Sequence, residues 1–349
     1  MREELLSLLI KISPQGIAEQ RGIAERMAAS YPSLFEGDDV FVEAYSSIFP
    51  RCILTMAAFN QRLTELNPKI RIYQTSNARV QPFTNTLREH KSFQAEAKAA
   101  TLPRIDREID LISPAVLARI FKPGYAAFTA SEADKCNVFV RSLFDLMMMM
   151  QNTEGDTRID DLFTPQERMA VWEKINAYRY AQYGTSYRWG DAIFGDGASV
   201  MRSIVDDFDA KLAGENRSAF LRFGHDYTVI ALLATMEVEG MCARTDDWEH
   251  LKEVWVDFRI SPMSANVQFV FFRNEAGDTI VKLLHNEHEC RIPLASDIAP
   301  YYRWDNLRRY MTDKMAHIAE LPAVKELGFD RPARVEAPAF GILEESPCR

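Results

Sequence analysis

His225 and Asp226 stand side by side directly after Gly224, between two runs that differ in period. Residues 219–223 are short and mostly apolar, which suits a strand buried on both faces of a sheet. Gly224 supplies the freedom for a sharp turn, and residues 228–236 read as a buried helix. A strand that ends in a tight turn and a helix start is where ligands collect on an open α/β sheet. The first N–H groups of such a helix, with its dipole, favour an anion. An imidazole and a carboxylate are therefore delivered together to a place suited to a phosphate. The plainer alternative makes Asp226 a helix N-cap and His225 a turn residue.

The elements that must hold this pair read as an α/β protein. Ser13-Pro14 is a helix start, with serine as N-cap and proline in the first turn. The helix over 14–29 carries Ile17, Ile23, Ala24 and Met27 near one face. Residues 40–44 read as a strand, and Met56, Phe59, Leu63 and Leu66 mark a second helix. From 77 to 214 the pattern is almost wholly helical, near 84–100, 114–122, 131–151, 164–182 and 198–213. Thr164-Pro165-Gln166-Glu167 forms a further helix start. Trp172, Tyr178, Tyr180, Tyr183, Tyr187 and Trp189 read as packing residues of this helical layer. Beyond the central pair, residues 255–260 alternate, and strands over 266–272 and 279–284 flank a turn at 274–278 as a hairpin. On a strand His285 and His288 point to opposite faces, so no metal centre is expected there.

The chain has 349 residues, enough for one large α/β domain with an insert. A net charge of −9 argues against a nucleic-acid partner, whose phosphates would be repelled. No apolar run approaches the roughly 20 residues that span a bilayer. The five cysteines are widely spread and show no metal-ligand spacing; one or two disulfides remain open for an exported protein. Residues 1–10 lack the basic start and continuous apolar core of a secretory signal.

Leu221-Arg-Phe-Gly-His-Asp226 resembles the second active-site motif of the histidine acid phosphatases, closest to their phytase and multiple inositol-polyphosphate phosphatase branch. The likeness extends over roughly 11–310. It takes in Ile12-Ser-Pro-Gln-Gly16, Gly22-Ile-Ala-Glu-Arg-Met27, Ser46-Ser-Ile-Phe-Pro-Arg51, the helix start at 162–172, and Pro300-Tyr-Tyr-Arg-Trp304. The resemblance implies a mixed sheet flanked by helices, with a phosphatase core over 1–76 and 215–330. It also implies a helical insert over 77–214 that roofs the cleft, leaving 331–349 as a C-terminal arm. It assigns phosphate contact to His225, protonation of the leaving oxygen to Asp226, and phosphate binding to Arg51. At a helix start, Arg51 has the geometry to present a bidentate guanidinium to a phosphoryl group. The implied partner is a small phosphorylated substrate such as an inositol phosphate, with no cofactor and no metal, in a periplasmic or secreted setting. Oligomeric state stays open.

One piece is missing. The family's Arg-His-Gly-x-Arg motif, whose histidine attacks phosphorus, does not occur in the sequence. The expectation is that the first strand is absent, leaving an unpaired sheet edge. Three origins are open: a start at an internal methionine, a true fragment, or a chain that binds phosphorylated ligands without turnover. An unrelated α/β enzyme with a His225–Asp226 dyad ranks last, because no serine or cysteine nucleophile motif accompanies the pair.

Overall fold

The computed structural model describes residues 12–86, 91–122, 133–152, 158–186 and 189–327. The readings of residues 1–10, Tyr187 and the 331–349 arm fall outside them. The described residues open with helix α1 (Pro14–Ser30), capped by the Ser13 hydroxyl on the Gly16 N–H as expected. Ile23 and Ala24 are buried on it, whereas Ile17 is exposed. Strand β1 (Phe41–Ser46) follows and is buried throughout. Helix α2 (Pro50–Leu66) buries Met56, Phe59 and Leu63 against it but leaves Leu66 exposed. Strand β2 (Arg71–Thr75), which the sequence reading passed over, has Arg71 and Gln74 exposed and its other residues half-buried.

The helical stretch comprises α3 (Lys91–Ile109), α4 (Ser113–Ile120), α5 (Ala133–Met149), α6 (Pro165–Tyr183) and α7 (Gly190–Leu212). Thr164 and Glu167 form a capping box at the start of α6, bearing out the start signal. The α3–α6 part has its own core around Ile105, Val116, Val140, Phe144 and Val171.

Strand β3 (Ala219–Phe223) returns to the first sheet and α8 (Asp226–Thr235) leaves it. The order is β2-β1-β3, all parallel, with Ser46 opposite Phe223. β3 is therefore an edge strand among the described residues. Only Phe223 is buried and the other four residues are half-buried, so burial on both faces is corrected. Strands β4 (Val267–Arg273) and β5 (Thr279–His285) form the expected hairpin. The two-residue β6 (His288–Glu289) and β7 (Tyr301–Arg303) pair with β5 to complete an antiparallel sheet. Helix α9 (Trp304–Ala319) closes the largest core with Tyr180, Met201, Leu233, Trp255 and Val281.

Two local readings change. Residues 255–260 form no strand: Trp255 and Val256 are extended, but Asp257–Ile260 is a helical turn. The Asn176 side chain bonds the Trp255 carbonyl and the Asp257 N–H, taking the backbone groups that a partner strand would use. His285 and His288 do not lie on one strand. Asn286 and Glu287 adopt positive φ and turn the chain, so the two histidines are register partners across a hairpin. The His285 Nε2 donates to the Ile260 carbonyl at 2.7 Å, committing that nitrogen to the backbone.

Candidate active site

The three parallel strands end at one rim of their sheet, and the loops leaving β1 and β3 meet there. Ser47 donates its N–H to the Phe223 carbonyl, and Ser76 donates its hydroxyl to the Ser47 carbonyl. Gly224 is needed at the turn because a Cβ would collide with the Thr84 carbonyl. This close approach, rather than a positive φ, is what demands glycine. His225 then serves as the N-cap of α8, with its carbonyl accepting from the Thr228 and Val229 N–H groups. Its side chain makes no capping bond, so the imidazole is left to face the rim. Asp226 occupies the first helical position, not the cap of the plainer reading.

The imidazole sits in a defined cage. Tyr227 stacks on it at 4.8 Å between centroids and Phe49 meets it edge-on at 5.1 Å. Arg51 Nη2 lies 3.2 Å from Nδ1, and Ser47 Oγ lies 3.0 Å from Nε2. A guanidinium can only donate, so Nδ1 must accept. The proton is then on Nε2, which donates to Ser47 Oγ. Burial, with Arg51 second, pushes the imidazole down to about 4, against a smaller opposing pull from Asp226. His225 is neutral across the ordinary pH range.

This tautomer disposes of a serine nucleophile. Ser47 receives the histidine's proton instead of facing its lone pair, so the ring cannot act as a base toward it. Cys52 is equally quiet: its thiol donates to the Gly224 carbonyl at 3.1 Å, and burial pushes it up to about 11. Cys52, Cys242 and Cys290 are free thiols.

Arg51 is exposed, stands 5.1 Å over the Phe49 ring, and has no carboxylate partner among the described residues. The Asp226 carboxylate is directed elsewhere. Arg179 of α6 approaches it at 3.4 Å and Asp257 at the same distance, bridging the two acids. Asp257 is itself fixed by the Trp172 indole N–H at 3.0 Å. The structure thus brings Arg51 and His225 into contact, and ties Asp226 beside them to the helical stretch. Sequence reasoning missed Ser47 and Arg179. Ser47 becomes visible only when β1 and β3 are known to be neighbours, and Arg179 only when α6 is placed against α8.

No family model matches the chain, and no curated protein matches it. Solved structures do. The multiple inositol polyphosphate phosphatase of Bifidobacterium longum, in complex with inositol hexasulfate, superposes with a TM-score of 0.70 at 16% identity. That match covers 89% of this chain and 79% of the other. The fold is that of the phytase-like histidine phosphatases. The phytase from D. castellii gives 0.66 at 14% identity over 92% of this chain and 68% of its own. The Klebsiella sp ASR1 phytase gives 0.57 at 10% identity over 90% and 88%.

Proposed function

We propose that the rim around Arg51 and His225 is the phosphate-binding part of a phosphomonoesterase site for inositol phosphates or similar phosphomonoesters. The observation that carries this is the Arg51–His225 contact at the start of α8. A guanidinium without a carboxylate partner, a neutral imidazole and a helix N-terminus together leave a place that lacks only an anion. On binding, a phosphoryl oxygen takes the Arg51 N–H groups, and the ring N–H of His225 becomes available as Ser47 yields to the ligand. Asp226 stands in the general-acid position; were a nucleophile supplied, it would need a protonated carboxyl and so give an acidic optimum. Arg179 has to part from the Asp226 oxygen that delivers the proton, so substrate entry and the position of α6 are coupled. In this reading the 77–214 segment is the cap over the cleft, and 1–76 with 215–330 is the core. An exported location belongs to the same proposal; no helix among the described residues is long and apolar enough to cross a membrane.

The nucleophile is the open element. Ser47 and Cys52 are unsuited, and no Arg-His-Gly occurs in the chain. Among the described residues the outer edge of β3 is unpaired, and β3 leads directly into the rim. We therefore infer that this 349-residue chain binds phosphorylated ligands without turning them over. The same facts favour, as a second reading, a phospholigand-binding protein with no chemistry of its own.

Phosphate release from phytate and p-nitrophenyl phosphate, from acidic to neutral pH, separates these readings from an active enzyme. Saturable ligand binding with no release is expected. Release that an Asp226→Asn variant loses would mean another residue serves as nucleophile, and would overturn the non-catalytic reading.

A further inference from the structure

We infer that a cavity between α3 and α6, separate from the phosphate rim, binds a small planar aromatic acid. The cavity has a volume of about 500 Å³ and is lined by Thr101, Arg104, Lys174, Ser186, Trp189 and Trp248 among others. That size suits a small molecule. Its position is independent of the rim. Along α6, Trp172, Arg179 and Tyr183 face Asp257, Asp226 and Tyr227. Lys174 is five residues before Arg179, roughly 140° round the helix at about 100° per residue. The cavity therefore opens on the far side of α6.

Three features define what fits. The Ser186 hydroxyl is 98% buried in residue terms, at 2% exposure, and has no hydrogen-bond partner among the described residues. The Ser186 carbonyl holds its own turn by accepting from the Trp189 and Gly190 N–H groups, so the hydroxyl is not used in the turn. A buried hydroxyl left unpaired is costly, and a ligand acceptor removes that cost. Second, Lys174 and Arg104 share one carboxylate, Glu108, while the neighbouring Lys252 is taken by Glu173. Burial, Arg104 and Lys252 all disfavour the charged form of Lys174. Asp246 also lines the cavity but is exposed and pairs with neither cation, so among the described residues Glu108 is the one carboxylate in contact with both. Third, two indoles line the wall, and the Arg104 guanidinium stands 6.0 Å over the Trp248 ring.

A single carboxylate satisfies Lys174, Arg104 and Ser186 together, and a flat ring covers the indole surface. An inositol polyphosphate carries more negative charge than two already paired cations can balance, and it offers no flat apolar face to the indole wall. The ligand class thus differs from that of the rim, and the inference does not depend on the phosphatase reading.

The test is calorimetric titration of the full chain with 2-naphthoate and, separately, with the uncharged 2-naphthamide. Saturable binding of one 2-naphthoate per chain is expected, with the amide at least about tenfold weaker. Lys174→Met should weaken the acid by a similar factor, and Ser186→Ala, which removes one buried oxygen, by several-fold. Arg51→Ala should leave 2-naphthoate affinity unchanged. Absence of saturable binding, equal affinity for acid and amide, indifference to both cavity variants, or loss of binding in Arg51→Ala would each overturn the inference.

Discussion

His225 and His285 are equally buried, at 6% exposure each, and burial holds both imidazoles below their usual range. Their surroundings differ in kind. His285 sits at the end of an antiparallel strand, with Nε2 on the Ile260 carbonyl and Asn286 beside it. Its hydrogen-bond partners among the described residues are a backbone carbonyl and a side-chain amide. His225 sits where two parallel strands end and a helix begins, between an arginine and a serine side chain. Its partners are ones an anion can displace or join. Burial and a lowered titration point therefore do not identify a site; the chemistry of the partners does. The first histidine lies where β3 gives way to α8 and the second in a hairpin.

The largest expected effect comes from closing the turn that aims His225. Gly224→Ala drives a methyl into the Thr84 carbonyl and should cost about 2–3 kcal/mol of stability by chemical denaturation, with phosphate affinity lost as well. A Gly277→Ala variant, at a surface turn with φ 91, should cost less and leave binding intact. Equal losses at the two glycines would show that the Gly224 contact is not specific.

Acidification gives the next effect. The His225 imidazole is ordinarily half-protonated at 6.5 but is held to about 4 in the folded chain. The unfolded state then binds more protons across that window, so stability is full above it and falls as pH drops from 6.5 toward 4. The contribution is on the order of 3 kcal/mol. His225→Gln should flatten the slope by that amount, while His285→Gln should remove only its own smaller share. Urea denaturation across the window checks both.

The smallest effect sharpens the comparison most finely. Bound phosphate should raise the His225 midpoint by on the order of one pH unit, because an adjacent anion favours the imidazolium. The His285 midpoint should not move. Ring carbon shifts followed by NMR, with and without phosphate, separate the two; a common shift at both would mean a global rather than a local response.

Much of the scaffold was legible because period and punctuation agree with tertiary packing. The Ser13 and Thr164 caps, the 267–285 hairpin and the strand–Gly224–helix turn all rest on local chemistry. The errors share a cause: they depend on neighbours distant in sequence. Residues 255–260 alternate like a strand, yet Asn176 holds them in a turn. β3 reads as buried because it is apolar, yet among the described residues it has β1 on one side only. His285 and His288 read as one strand because nothing local marks Asn286-Glu287 as a turn of positive φ. In the site, the histidine and aspartate stood out as adjacent residues, and Arg51 through the resemblance of residues 46–51 to a phosphate-binding segment. Ser47 and Arg179 act only through the pairing of β1 with β3 and of α6 with α8.

The central claim is that the Arg51–His225 rim binds a phosphoryl group. Calorimetric titration of phytate into the full chain, beside Arg51→Ala and His285→Gln, tests it most directly. One saturable site is predicted, weakened at least about tenfold by Arg51→Ala and unchanged by His285→Gln. Wild-type affinity in Arg51→Ala, or no binding by the unaltered chain, would contradict it.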